Sequence, residues 1–319
     1  MSVSERKFGV LQTGETVKIF HLENKSGAYA EVTDFGAILV KVCVPDKDGT
    51  LTDVVLGYDD LASYEVNGCF FGSTIGRNGN RIGGAKFSVN GKEVVLAQNE
   101  NDNNLHSGPD GFEKKLWKVA EISDDKNSVI FNRISPDGEN GFPGEFDVSV
   151  KYEFTEDNEL RIHYQGICDE PTVANMTNHS YFNLAGHASG TIDNQILQIN
   201  SEFYTPNDSE CMPTGEVLSV MGTPFDFRAP KPIGQDINAD FEQIEMFGGY
   251  DHNFAISGRG YRLCAIAKCL ENGITMEVYT DKPGVQLYTS NGLSEGIYKE
   301  GAKYSTHQAF CLETQYFPN

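Results

Sequence analysis

The segment VSVKYEFTEDNELRIHYQGI, residues 148–167, alternates apolar and polar side chains on both sides of a polar turn at Asp157–Asn158. Alternation with a period of two is typical of a β-strand that buries one face and exposes the other. Two such runs joined by turn residues predict an antiparallel hairpin. This hairpin indicates the fold class of the whole chain, because the same pattern recurs along it.

Three further segments repeat the pattern, each with a glycine-containing turn at its tip. They are residues 43–58 around Asp48–Gly49, residues 86–97 around Asn90–Gly91, and residues 261–281 around Asn272–Gly273. Asn-Gly between two alternating runs favours a type I′ turn, whose twist suits a hairpin.

Long segments with a helical period of 3.6 are missing from the sequence. The nearest candidates are residues 59–68 and 239–249, each one or two turns at best. We therefore predict an all-β protein, in which two large antiparallel sheets pack face to face as a β-sandwich. We expect one domain over residues 1–319. The alternative is two smaller stacked sandwiches with a boundary near residue 170.

The composition limits the partners. The chain has 319 residues and a formal net charge of −21, so we expect it to repel nucleic acid and anionic membranes. No apolar run is long enough to span a membrane, and the N-terminus has no signal-peptide core. The seven cysteines are odd in number and form no Cys-x-x-Cys pair, which favours reduced thiols and a cytoplasmic location.

Several familiar motifs are absent from the sequence. The glycine-rich segment GRNGNRIGG, residues 76–84, lacks the Gly-Lys-Ser/Thr ending of a phosphate-binding loop. No two histidines have the spacing of a zinc site, and there is no Gly-x-Ser-x-Gly nucleophile motif. We therefore expect neither a metal nor an organic cofactor.

Histidines and carboxylates remain as candidates for chemistry. His106 and His179 each lie in a loop rich in asparagine, Asp251 lies in GYDHNF, and Glu313 follows an apolar run. Burial raises a carboxylate's pKa, and a histidine with a carboxylate can supply acid and base without a metal. Each residue also has an ordinary structural explanation: a hydrogen-bonded loop histidine, a turn aspartate, or a glutamate paired with a lysine. These residues alone predict a small polar ligand and an acid–base enzyme.

Ten segments in order make the chain resemble the aldose 1-epimerase, or galactose mutarotase, family. They cover roughly residues 70 to 317, and are Gly76–Ile82, Asn104–His106, Gly111–Trp117, Ser135–Gly144, Thr177–Leu184, Pro213–Gly215 with Asp226–Arg228, Gly249–His252, Pro283–Gln286 and Glu313–Gln315. The resemblance implies a β-sandwich of the galactose-mutarotase type. It also implies interconversion of the α and β anomers of a free aldohexose.

The resemblance assigns roles to seven residues. Glu313 matches the general base, His179 the general acid, and His106 a second histidine near the ring oxygen of the sugar. Positions that hold sugar hydroxyls are matched by Asn80, Arg81, Asp251 and Gln286. Because the acid needs a proton at neutral pH, we expect His179 to be an imidazolium held near a carboxylate.

Other functions predict different residues. A hexose-6-phosphate mutarotase of the same fold needs extra cationic groups for the phosphate, and no such cluster accompanies these loops. A glycosidase would use two carboxylates, such as Asp251 and Glu313, and would leave both histidines without a role. A non-catalytic sugar-binding module would have no need of Glu313 or His179. The preferred aldose (glucose, galactose or another, such as xylose) and the choice between monomer and homodimer stay open.

Two features depart from the family pattern. Ser107 follows His106 where the family usually has glycine, which is expected to narrow the pocket or shift the substrate preference. The sequence also stops at Asn319, whereas related chains usually continue through further strands. Either the sequence is truncated, or a sheet edge near Glu313 is left uncovered.

Overall fold

A computed structural model describes residues 2–319, and these residues form 26 β-strands and two short α-helices. The prediction of an all-β protein is therefore confirmed. The residues cluster into two compact units. The first contains the chain up to Val44 and Gly57–Asn178, and the second contains Pro45–Leu56 and His179–Asn319. The expectation of a single domain stays a prediction.

The first unit is built on β1-β2-β3-β4 of the five-stranded sheet β1-β2-β3-β4-β5 and on the four-stranded sheet β11-β12-β13-β14, with the short pairs β7–β10 and β8–β9. Its strands are β1 Ser2–Val10, β2 Thr16–Glu23, β3 Tyr29–Thr33, β4 Ile38–Pro45 (whose last residue falls in the second unit), β6 Ser73–Ile75, β7 Arg81–Ile82, β8 Lys86–Val89, β9 Lys92–Val95, β10 Asn104–Leu105, β11 Lys118–Ser123, β12 Ser128–Ser135, β13 Phe146–Phe154 and β14 Leu160–Cys168. Strand β15, Thr177–His179, ends where the second unit begins.

The second unit contains a five-stranded sheet with the order β18-β17-β20-β23-β26 and a four-stranded sheet with the order β19-β16-β21-β22. Its strands are β5 Leu51–Asp53, β16 Ile196–Ile199, β17 Ser201–Thr205, β18 Leu218–Ser219, β19 Lys231–Pro232, β20 Asp251–Ile256, β21 Arg262–Lys268, β22 Thr275–Thr280, β23 Gly284–Tyr288, β24 Gly296–Ile297, β25 Lys303–Tyr304 and β26 Cys311–Gln315. Strand β26 lies at one end of the five-stranded order.

The hairpins predicted from the sequence are present. Strands β13 and β14 pair over nine residues each, β8 pairs with β9, and β21 pairs with β22. The two central residues of the β8–β9 turn, Asn90 and Gly91, have φ of 51° and 73°, as a type I′ turn requires. The turn at the end of β4 is closed by Asp46 N–H donating to Thr50 O at 2.9 Å.

The two helices lie inside the segments with helical character. Helix α1, Leu61–Val66, begins after Asp60, whose side chain accepts from Ser63 N–H. Helix α2, Glu242–Phe247, ends at Gly248, which has a φ of 63°. The first helix ends at Asn67, which has a φ of 31°, so both helices stop after six residues at a left-handed residue. Among residues 2–319, no helix is both long and apolar enough to cross a membrane.

Alternation explains the core of the first unit. On β13, every second residue from Phe146 to Phe154 is buried, and those between them are more exposed. The single face so formed packs Phe131 and Tyr152 against each other at 6.3 Å between ring centroids. The second unit has its own aromatic core, where Tyr204 stacks on Phe225 at 4.4 Å.

A buried arginine fixes the loop that precedes β7. Arg77 is 1% exposed, and its guanidinium donates to the carbonyl oxygens of Ser135, Pro143 and Gly144 at 2.8–3.0 Å. A guanidinium has five N–H donors, so one side chain can hold several carbonyls of one loop. Arg77 thereby ties the segment that carries Asn80 and Arg81 to residues 135–144.

Candidate active site

The register of the five-stranded sheet explains why three predicted site residues of the second unit share one face. Gln286 on β23 lies opposite Glu313 on β26 and opposite Asn253 on β20. Directly opposed residues point to the same side of a sheet, and Asp251 lies two residues before Asn253 on the same strand. Asp251, Gln286 and Glu313 therefore project from one face.

The polar residues on this face are linked to one another. Gln286 Nε2 donates to Asp251 Oδ1 at 2.7 Å, so the structure brings these two predicted residues together. Gln315 Nε2 donates to Gln286 Oε1 at 3.2 Å and to Asn253 Oδ1 at 3.1 Å. Gln286 is 4% exposed and Gln315 is fully buried. These bonds fix the Gln286 amide and orient the Asp251 carboxylate.

His179 and Glu313, the predicted acid and base, lie close together. His179 Nε2 lies 3.6 Å from Glu313 Oε1, and the two residues are 5% and 2% exposed. Glu313 comes from the centre of β26, and His179 is the last residue of β15. The gap is wider than a hydrogen bond, and catalytic contacts often tighten only when substrate is bound.

Aromatic rings and a thiol surround the His179 imidazole. Tyr181 stacks on it at 5.1 Å between ring centroids, and Tyr288 approaches edge-on at 6.2 Å. Cys311 Sγ lies 3.6 Å from Nδ1. Burial lowers the pKa of His179 from 6.5 to about 4, because the charged ring loses its hydration. The imidazole is therefore neutral at neutral pH, and the expectation of an imidazolium is wrong for the protein without sugar.

In the first unit, Asn80 and His106 hold each other through the backbone. His106 N–H donates to Asn80 O at 3.0 Å, and Asn80 N–H donates to His106 Nδ1 at 3.1 Å. Because Nδ1 accepts, the neutral ring carries its proton on Nε2. Both residues have positive φ, 54° for Asn80 and 51° for His106, and both are 5% exposed. Phe70 packs against the imidazole at 4.9 Å.

Arg81 forms a two-point ion pair with Glu100, a residue that the sequence did not single out. Arg81 Nε lies 2.5 Å from Glu100 Oε2, and Nη2 lies 2.9 Å from Oε1. The side chains are 11% and 30% exposed, respectively. Leu105 on β10 pairs with Arg81 on β7, so the turn that carries Glu100 is attached to the same short ladder.

Ser107 has a structural role of its own. It is 1% exposed, and its hydroxyl accepts from Asn78 N–H at 2.7 Å and donates to Asn78 O at 3.0 Å. Its φ of 71° is the left-handed conformation that favours glycine. The side chain thus ties the His106 turn to the segment before Asn80, and the effect on pocket width or substrate preference stays a prediction.

Comparison with known proteins gives the family. Residues 18–319 match the model of the family described as aldose 1-epimerase. The chain belongs to the aldose 1-epimerase family. It is 42% identical to human galactose mutarotase, over 100% of this chain and 91% of the human protein. It is 36% identical to the aldose 1-epimerase of Haemophilus influenzae, over 96% of this chain and 88% of that protein.

The solved structures agree with the family assignment. The crystal structure of galactose 1-epimerase from Lactobacillus acidophilus superposes with a TM-score of 0.89 at 28% identity, and the match covers 99% of this chain and 90% of that one. The fold is thus of the galactose-mutarotase type, as predicted. As an aldose 1-epimerase, the protein is an isomerase that interconverts the anomers of aldose sugars.

The residues that sequence reasoning missed support those that it found. Asn253 and Gln315 each lie two positions from a predicted residue on the same strand, so their spacing was a usable signal. Cys311 has the same spacing from Glu313. Glu100 gave no such signal, because its partner Arg81 is 19 residues away and lies on a different element.

Proposed function

We propose that this aldose 1-epimerase acts on free aldohexoses, with galactose and glucose as its main substrates. The single observation that carries the chemistry is the buried contact of His179 with Glu313, 3.6 Å apart. The names of the relatives support galactose. The enzyme is proposed to work in the cytoplasm as a monomer or homodimer in hexose metabolism, with neither nucleic acid nor a membrane as partner.

Glu313 is proposed as the base and His179 as the acid of ring opening. Glu313 takes the proton of the C1 hydroxyl, the bond from C1 to the ring oxygen breaks, and His179 gives a proton to that oxygen. Rotation about the C1–C2 bond exposes the other face of the aldehyde. The ring oxygen then attacks that face while both proton transfers run in reverse. Each positioned group is worth on the order of 10²–10⁴-fold in rate.

The low pKa of His179 places a condition on this scheme. The neutral imidazole of the empty site has no proton to spare, so its proton has to be taken up when sugar binds. The Glu313 carboxylate is the nearby charge that favours the protonated ring. In the empty site, burial of His179 opposes its protonation and is the main cause of its lowered pKa.

Five other residues are proposed to bind the sugar or to assist. His106 presents Nε2–H as a donor to the ring oxygen, because its Nδ1 accepts from Asn80 N–H. Asn80 and Arg81 are proposed to hold hydroxyls. Asp251 and Gln286, already bonded to each other at 2.7 Å, are proposed to bind a neighbouring pair of hydroxyls on the same sugar.

Polarimetry tests the proposal. Freshly dissolved α-galactose and α-glucose should reach anomeric equilibrium faster with the enzyme than in buffer alone, with EDTA present throughout. Equal rates with and without enzyme for both sugars contradict the proposal. A substrate series that includes xylose and galactose 6-phosphate then ranks the preference by kcat/KM.

A further inference from the structure

The Arg81–Glu100 pair in the first unit has a geometry that goes beyond holding the fold. Two separate N–H···O contacts, at 2.5 and 2.9 Å, join the guanidinium edge to both carboxylate oxygens. Paired contacts of this kind fix the plane of the guanidinium as well as its position. They engage Nε–H and one N–H of Nη2, so all the N–H donors of the planar group point in set directions.

The backbone around Glu100 is equally constrained. Asn103 N–H donates to Glu100 O at 2.9 Å, and Glu100 N–H donates back to Asn103 O at 3.4 Å. This closed turn leads directly into β10, whose Leu105 pairs with Arg81. Because the turn and Arg81 belong to one ladder, the backbones of both partners are held in place, which reduces the entropy cost of forming this partly exposed ion pair.

The negative charge of Glu100 also affects which ligands Arg81 can bind. An isolated arginine next to a sugar site attracts anions, and phosphate is the anion that a guanidinium recognises best. With the carboxylate in contact, the local charge is close to neutral, while the direction of the N–H donors is kept. Neutral hydroxyls still gain hydrogen bonds from such a group, whereas a phosphate meets the Glu100 charge.

We propose that Glu100 is a specificity-determining residue, which makes Arg81 a directional donor for sugar hydroxyls and prevents it from serving as a phosphate receptor. The inference rests on the proposed function, since it takes Arg81 as a sugar-binding residue. It names the class of substrate, free aldoses in preference to their phosphate esters, and assigns that preference to one carboxylate.

The test uses Glu100→Gln, which keeps the shape of the side chain and removes its charge. We expect KM for galactose to rise about 3- to 10-fold and kcat to stay within about 2-fold, because orientation of a binding group is lost and the acid–base pair is intact. Inhibition by inorganic phosphate and by galactose 6-phosphate should become about 10-fold stronger than in the wild-type enzyme. Glu100→Asp restores the charge and should abolish the added phosphate sensitivity.

Glu93→Gln is the matched control, because Glu93 lies in the same unit and its pair with Lys86 is 3.7 Å long and largely exposed. It should behave as wild type in every measurement. Wild-type KM and phosphate inhibition in Glu100→Gln, with an unchanged melting temperature, would overturn the inference. A fall in kcat at constant KM would overturn it as well, since it assigns Glu100 to the chemistry.

The inference and the proposed function fail in different ways. If the wild-type enzyme does not speed galactose equilibration, the proposed function fails. Phosphate binding to wild type and Glu100→Gln, measured by calorimetry without any turnover, then still tests the neutralisation of Arg81. If the wild type is active and Glu100→Gln binds phosphate no better, only the inference fails.

Discussion

The two pairs of ionisable side chains at the predicted site residues are built in opposite ways. Arg81 and Glu100, in the first unit, meet through two contacts of 2.5 and 2.9 Å and are partly exposed. His179 and Glu313, in the second, are nearly fully buried yet stand 3.6 Å apart. A permanent cation suits a close pair, because neither partner has to change its charge. A pair that exchanges protons needs partners whose charges can change, and burial makes the His179 charge costly.

The difference predicts where a substitution acts. Changes in the close pair should affect binding and specificity, whereas changes in the buried pair should affect turnover. The two units also differ in the backbone that carries the predicted site residues. His106 is held by a turn with two hydrogen bonds to Asn80, while Glu313 projects from the middle of a strand in a regular sheet.

The largest expected effect comes from breaking the buried pair. Glu313→Gln keeps the size of the side chain and removes the proton acceptor, so kcat should fall at least about 10²-fold with sugar binding largely kept. His179→Asn should have a similar effect. The double variant should be little worse than either single one, because groups that act as a unit are not additive.

Polarimetry and thermal melting on the same samples separate chemistry from support of the sheet. If Glu313 only braces β26, Glu313→Gln lowers the melting temperature and leaves kcat per folded molecule intact. Near-normal kcat in this variant ends the catalytic assignment.

A smaller effect is expected from the binding group of the second unit. Asp251→Ala removes the partner of Gln286, whose amide donates to it at 2.7 Å. KM should rise about 10-fold and kcat should change by less than about 3-fold, since hydroxyl contacts are shared by ground and transition states. The exposed Asp240, changed to alanine, serves as the control. A large loss of kcat at unchanged KM contradicts the binding role.

The sequence predicts features that depend on residues close together in the chain, and it does not predict features that depend on residues far apart. The hairpins were predictable because alternation and Asn-Gly turns are local, as in β8 and β9. Strand β23 pairs with β20 and with β26. Which residues face each other across these pairs cannot be read from the local sequence of any one strand. The resemblance supplied the site residues, but not Glu100 and Gln315, which bond to Arg81 and Gln286.

The pKa of His179 marks another limit of prediction. From the sequence an imidazolium is expected, because a general acid needs a proton at neutral pH. Burial reverses that expectation, and part of it comes from distant residues such as Tyr288, more than a hundred positions away. Desolvation is a property of the packed environment, which neighbouring letters do not give.

A binding measurement tests whether His179 takes up a proton when the sugar binds. If the His179 proton is taken up with sugar, galactose binding near neutral pH should absorb up to about one proton per enzyme. Calorimetry in two buffers of different ionisation enthalpy measures this uptake directly. His179→Asn should show no uptake, and Glu100→Gln should match the wild type. Buffer-independent heats in the wild-type enzyme contradict uptake at His179.

The smallest expected effect concerns stability, and comes from a buried carboxyl in the first unit. Glu113 is 1% exposed, and neither of its carboxyl oxygens has a hydrogen-bond partner among residues 2–319. Its surroundings are tight: a Cβ added at Gly111 would lie 2.4 Å from Glu113 Oε2 and 3.1 Å from His106 O. Burial raises the pKa of Glu113 from 4.5 to about 7.

The sign of the pH dependence follows from these two values. Between about pH 4.5 and 7 the unfolded chain has lost this proton and the folded protein keeps it, so the Glu113 contribution to stability falls as pH rises and then levels off. The full shift corresponds to about 3 kcal/mol, or roughly 3–5 °C in melting temperature for a chain of this size. Glu113→Gln cannot ionise. Its melting temperature relative to wild type should therefore increase by that amount between about pH 5 and 8, with the exposed Glu121→Gln as control. A difference that stays constant with pH shows that Glu113 is already ionised in the folded protein.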